Sequence, residues 1–210
     1  MPRSRRVADT TRDLQALLPE GIEPPTSLAP EIFQAALHTF LEQRRVDMRS
    51  LAEELGIGRA TLYRRSGSRD QLLGEVLWYL TRRNLNRAAR KGEGLVGVDR
   101  ILAVIGHFLR FVNDQPALRR FLSAEPETAL RILTSKRGIV QAGAVAHLTR
   151  LLAQEVAAGE FVSRMELKTL AYVTVRIGES FLYADVIADD EPDVEQAMEI
   201  IGHLLSSYVP

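Results

Sequence analysis

The chain has 210 residues, 46% of them hydrophobic, with 27 Lys and Arg against 27 Asp and Glu and no cysteine. Without cysteine there is no disulfide, thiolate metal site or thiol nucleophile; no run approaches the roughly 18 apolar residues of a membrane span, and Arg3, Arg5 and Arg6 are followed by no apolar leader segment, so a cytoplasmic protein with no membrane partner is expected. The even charge balance conceals a split, with 16 basic and 11 acidic residues through Lys91 and 11 and 16 beyond it, which points to a polyanionic partner for the first part alone.

β-Branched residues are spread through patterns of period 3.6 and never alternate strictly with polar residues over a strand's length, so the expected fold class is all-α. Residues 1 to 28 read as a flexible arm, broken by Pro19 and the Pro24-Pro25 pair. A first helix opens at Pro30 and runs to about Arg44, with Ile32, Phe33, Ala36, Leu37, Phe40 and Leu41 on one stripe. Asp47 caps a two-turn helix that holds Met48, Leu51, Ala52 and Leu55 and stops at Gly56. Arg59 to Arg65 forms a third short helix with Leu62 turned inward, and Ser68 with Gln71 is a capping-box start for a long helix through Trp78 to about Lys91.

Helices then follow near Val98 to Asp114, Ala117 to Leu122, Glu127 to Ser135, Gly138 to Ala158, Arg164 to Ile187 and Asp193 to Tyr208, with markers at Pro116, Pro126, Gly159, a Ser163…Glu166 capping box, and Pro192-Asp193. Gly92-Glu93-Gly94-Leu95-Val96-Gly97 fits the dinucleotide pattern but follows a basic helix rather than a strand, and reads as a hinge between lobes. No cofactor is expected. The boundaries suggest an arm to residue 28, a head over 29–74 and a helical lobe over 75–210.

Two short helices about a glycine turn, propped by an amphipathic helix, form a helix-turn-helix whose second helix enters the major groove of a double-stranded DNA operator. Packing Leu51, Ala52, Leu55, Ile57 and Leu62 together leaves Arg59, Ala60, Thr61, Tyr63 and Arg64 outside, with Gly58 at the tip of the turn. Arg holds guanine O6 and N7 with two hydrogen bonds, Thr bonds a base edge, and Ala meets a thymine methyl. Tyr63, Arg49 and Arg69 suit phosphates, which set register. Arg44 and Arg45 read as solvated.

The segment from Phe40 through Leu73 resembles the DNA-binding domain of the TetR family of one-component regulators. Met48, Leu51 and Ala52 match the family's apolar segment, Gly56-Ile57 its turn, Thr61-Leu62-Tyr63 its recognition helix, and Ser68-Arg69-Asp70-Gln71-Leu72 the start of the following helix. The chain departs from the pattern at Arg44-Arg45-Val46, Asp47, Gly58 and Ser66. The resemblance implies a homodimer, joined through the last two long helices as a four-helix bundle, acting as a repressor released by a small apolar or amphipathic effector. Two stripes allow it, Leu170, Thr174, Ile177, Gly178 and Phe181 on one helix, and Met198, Ile201, Leu205 and Tyr208 on the other.

For the effector, Tyr172, Arg176, Glu179 and Tyr183 share a helix face, and Trp78, Phe108, Phe111 and Phe121 offer aromatic walls. Arg176 and Glu179 read first as an ion pair. His147 lies among Val140, Ala144, Leu148 and Leu151, as a core or pocket histidine. The segment Arg176 to Asp185 is also similar to a subgroup that controls lactone degradation, which would suggest an acyl or butyrolactone-type effector. Two rival readings are a helical carrier or adaptor without DNA binding, and a helical enzyme, for which no convergent acid, base and nucleophile set is found.

Overall fold

The computed structural model describes Pro25 and residues 28–136 and 138–206. Of the arm expected over 1–28 only Pro25 and Leu28 are among these residues, and Leu28 is buried in the core; the Tyr208 end of the last stripe lies outside them. Among the described residues the fold is all-α: α1 (Pro30–Leu41), α2 (Met48–Leu55), α3 (Arg59–Ser66), α4 (Arg69–Lys91), α5 (Gly97–Asn113), α6 (Pro116–Ala124), α7 (Pro126–Thr134), α8 (Ile139–Ala157), α9 (Leu167–Leu182), α10 (Ala184–Ile187) and α11 (Val194–Ser206). No described helix is long and apolar enough to cross a membrane.

The head consists of α1 to α3 on the first turns of α4. Pro30 opens α1, whose Ile32, Phe33, Ala36, Leu37 and Phe40 are buried, and the helix ends at Leu41, a turn before Arg44. Asp47 accepts hydrogen bonds from the N–H groups of Arg49 and Ser50, which satisfies two of the free donors of α2. The Ser50 bond is the main reason the Asp47 carboxyl lies below the usual carboxylate range. Gly56 ends α2 at φ 66°, a left-handed conformation that costs glycine nothing. Leu62 is fully buried and anchors α3, while Ser66 is buried with its hydroxyl donating to the Leu62 carbonyl at 2.8 Å. The capping box at α4 is complete: Gln71 N–H donates to Ser68 Oγ, and Ser68 N–H to Gln71 Oε1.

In the lobe, α4 packs on α5 and α8, α9 on α8 and α11, and α11 on α5. Glycines let these helices approach. A Cβ at Gly178 of α9 would come within 3.1 Å of Leu109 in α5, and one at Gly106 of α5 within 3.4 Å of Met198 in α11. The small residues of the α9 stripe thus serve packing inside one protomer.

Three expectations are corrected. The Gly92–Gly97 segment joins α4 to α5 within the lobe and is not an interlobe hinge; Gly97, at φ 58°, donates its N–H to buried Glu155 at 2.6 Å, and Arg100 pairs with the same carboxylate. Ser163 does not box with Glu166, because its hydroxyl bonds to the backbone of Met165 and α9 begins only at Leu167. The helix expected to reach Ile187 breaks at Tyr183. Arg119 of α6 donates to the Leu182 carbonyl at 2.8 Å, and Val186 N–H turns to the Tyr183 carbonyl at 3.0 Å, so the helical ladder does not continue through Leu182.

Candidate functional site

On α3, Arg59, Ala60, Tyr63 and Arg64 are exposed and Thr61 is half-buried, with Gly58 exposed at the N-cap. All five side chains surround a helix held by one fully buried residue, Leu62, and by the buried Ser66. The surface is cationic at Arg59 and Arg64, and Tyr63 stands out at 48% exposure. Arg49 lies on α2, exposed and paired with Glu53 at 3.0 Å.

Arg69 is elsewhere. Its guanidinium donates two hydrogen bonds to Glu125, at 2.7 and 2.8 Å, and a third to the Val46 carbonyl, and it is mostly buried. Both partners hold it away from the α3 surface, which corrects the phosphate role expected from the sequence. Arg45 lies 3.5 Å from the same Glu125, so it is not purely solvated. Asp70, the next residue on α4, accepts from Arg131 of α7 at 2.7 and 3.1 Å. Head and lobe are therefore tied by two adjacent ion pairs at the first turn of α4, with Glu125 sitting between α6 and α7. The charge complementarity of these distant residues left no trace in local sequence.

The lobe holds a cavity of about 180 Å³ lined from α1 and from α4 through α9. Phe108, Phe111, His147, Glu179 and Tyr183 line it as expected, together with Leu77, Leu80, Leu109, Leu148 and Leu151. Four expected residues do not line it. Trp78 packs over Gly143, where a Cβ would lie 2.2 Å from the indole ring. Phe121 makes an edge contact with Phe40, centroids 5.8 Å apart, beneath the head. Tyr172 is exposed at 43% and Arg176 is largely exposed; they lie on the stripe of Glu179 and Tyr183, but only its last turns are covered, at Glu179 by Gln141 of α8.

Gln141, Thr81, Arg83 and Asn84 also line the cavity and were not singled out from sequence. Gln141 was the most legible of them, as an amide among the apolar residues of the first turns of α8. Its Nε2 donates to both Glu179 oxygens, at 3.0 and 3.2 Å, and Arg176 donates to Glu179 at 2.8 Å. Burial pushes the Glu179 carboxyl up, against the pull of Gln141 and Arg176. Burial pushes the Tyr183 hydroxyl up as well, reinforced by the charge of Glu179, and pulls the His147 ring down, reinforced by Arg150. Tyr183 and His147 are thus neutral at pH 7. Among the described residues no three His, Cys, Asp or Glu side chains stand together so as to hold a metal ion.

The dimer stripes are also redistributed. Leu170, Thr174, Ile201 and Leu205 are 0 to 2% exposed within one protomer, so no partner can reach them; they belong to the core that α9 and α11 share with α5. Ile177, Phe181 and Met198 are half-buried against that core. The outward faces of these helices instead show Tyr172 and Val173 on α9 and Ile200 on α11, each 36 to 43% exposed.

The family model described as "Tetracyclin repressor-like, C-terminal domain" matches residues 96–206. Among solved structures, the transcriptional repressor QsdR of the TetR family from R. erythropolis is 32% identical at a TM-score of 0.77, covering 83% of this chain and 92% of that one. The TetR-family repressor AlkX from a Dietzia species shares the fold at 24% identity and a TM-score of 0.61, with 89% and 100% covered. The fatty acid degradation regulator FadR from Bacillus halodurans shares it at 15% and 0.53, with 84% and 95% covered. No curated protein matches the chain.

Proposed function

The chain belongs to the TetR family, a DNA-binding transcriptional regulator by descent and fold, and from that premise we propose that it works as a homodimeric repressor released from a near-palindromic operator when a small apolar or amphipathic effector fills the lobe cavity. The observation that carries this reading is the pairing of an outward-facing α3, with Arg59, Tyr63 and Arg64 exposed and Thr61 half-buried, with a largely apolar cavity in the lobe. Arg59 and Thr61 read bases, Ala60 meets a thymine methyl, and Tyr63, Arg64 and Arg49 position the head on phosphates. The head spans 29–74 and the effector and dimerisation lobe 75–210. The protein acts by binding and not by turnover.

Tyr172 and Val173 with Ile200 form the dimer face, replacing the buried residues first expected there. Coupling runs through α6 and α7: Ala117, Leu118 and Leu133 line the cavity, and Glu125 between these helices holds Arg69 at the foot of the head. An effector that displaces α6 loosens or re-aims the α4 start and with it the separation of the two recognition helices, which must match about 34 Å on the operator. This requires the effector to prefer the released conformation, typically by about 1 to 3 kcal/mol. The experiment is retention of the chain's own upstream DNA with and without candidate effectors. Sequence-selective retention that falls steeply with salt is expected, and its absence at modest salt removes the reading.

A further inference from the structure

The polar groups on the cavity wall are unequal. Thr174 donates its hydroxyl to the Leu170 carbonyl and Gln115 its amide to the Phe111 carbonyl, so both are engaged by the backbone. Glu179 is shared between Arg176 and Gln141. Tyr183 differs: it is 6% exposed, lines the cavity, and its hydroxyl makes no hydrogen bond to any described residue. This hydroxyl opens onto the cavity, so it is available to donate to whatever fills that space.

The charges around this hydroxyl are already balanced. One turn back along α9, Glu179 is neutralised by Arg176 at 2.8 Å, and on the other side the charge of Arg119 faces Asp185 at 3.5 Å, although its Nε and Nη1 make no hydrogen bond. A charged ligand head placed here would lose its hydration and gain no free counter-ion. Most of the remaining wall is apolar; its other polar groups are Thr81, Arg83 and Asn84 on α4 and His147 on α8, whose ring is held neutral. Arg83 is the one cavity-lining cation with no carboxylate against it, but it lies on the α4 wall beside Arg87, whose guanidinium stacks over Phe111 at 5.4 Å.

We propose that the effector is an uncharged amphipath that presents a hydrogen-bond acceptor, a carbonyl or ether oxygen, to the Tyr183 hydroxyl, with its apolar body along the leucine-lined wall. The inference rests on the reading of the cavity as the effector site. Tyr183 ends α9 and is followed by the break that Arg119 of α6 makes. A ligand on Tyr183 therefore acts beside the helix that leads to the Glu125 tie.

The probes are 2-nonanone, which has one acceptor and no charge, nonane, which has none, and nonanoate and nonylamine, which carry charges of either sign. Binding to the full-length protein is read from the fluorescence of Trp78, the single tryptophan, which packs on α8 at Gly143, and from the thermal midpoint. The ketone is expected to bind at least tenfold more tightly than either ion. Tyr183→Phe keeps the ring and its packing, and should weaken the ketone about three- to tenfold, the range of one net hydrogen bond, while leaving nonane unchanged. Nonanoate binding more tightly than the ketone would overturn the inference in favour of a head group at Arg83. Equal ketone affinity in the two proteins, or binding by none of the probes, overturns it as well. Operator retention is measured in parallel. Ketone binding that depends on Tyr183 but leaves retention unchanged upholds the ligand class and removes the effector reading, so the two fail separately.

Discussion

The head and the lobe display their functional residues in opposite ways. On α3 the side chains proposed to meet DNA are exposed or, at Thr61, half-buried, and the helix is fixed by Leu62 beneath them, so the proposed function depends on what the core leaves outside. In the lobe the proposed functional residues belong to the core: the cavity is bounded by buried and half-buried residues from seven helices, and Tyr183 and Glu179 line it from inside. Substitutions on α3 should therefore change binding without changing stability, whereas few changes around the cavity can do one without the other.

The contrast breaks first at Leu62, where the two kinds of position meet. Leu62→Ala opens a cavity under α3 and should cost about 2 to 5 kcal/mol, with the head melting ahead of the lobe in a thermal scan. A single unshifted transition would show that α3 is held by something other than Leu62. Next in size, Arg59→Ala or Thr61→Ala should each remove about 1 to 3 kcal/mol of operator discrimination and leave the dimer intact in sedimentation. Dissociation into monomers would place those residues in the fold and not on the DNA. Glu125→Gln weakens the tie to Arg69 and should reduce the ratio of operator affinities without and with effector by about 1 kcal/mol, the lower end of allosteric couplings, with the affinity of the cavity for its ligand nearly unchanged.

The smallest effect is expected at the α2 cap. Because Asp47 titrates below its unfolded value, its stabilising bonds to Arg49 and Ser50 are present above the usual carboxylate range and lost as pH falls through the depressed folded value. Asp47→Ala should cost the head about 0.5 to 1 kcal/mol at neutral pH and flatten the acid limb of its stability profile. An acid limb as steep as in the native chain would assign that loss to other carboxylates.

How much the sequence disclosed follows the same division. The caps at Asp47, Ser68 and Gly56 and the inward turn of Leu62 are decided by residues within four positions of one another, and each is found as expected. Arg69 escaped this logic because its partner Glu125 is 56 residues away. The stripes on α9 and α11 were legible as apolar, but periodicity does not say which neighbour covers them; the packing of α9 on α8 and α11, and of α11 on α5, buries Leu170 and Ile201, and the faces left open carry Tyr172, Val173 and Ile200. The cavity was half legible for the same reason. Phe108, Phe111, His147, Glu179 and Tyr183 face it, whereas Trp78 and Phe121, equally aromatic, are taken up by Gly143 and Phe40.

The most direct test of the account is a salt series of operator retention for the native chain and for Arg59→Ala, set against scrambled DNA of equal length. The account predicts that the native chain prefers its own upstream DNA, that retention of both DNAs falls steeply with salt, and that Arg59→Ala loses the preference while keeping the salt slope nearly unchanged. Equal retention of the two DNAs by the native chain, or a preference untouched by Arg59→Ala, would contradict the assignment of α3 as the surface that reads sequence.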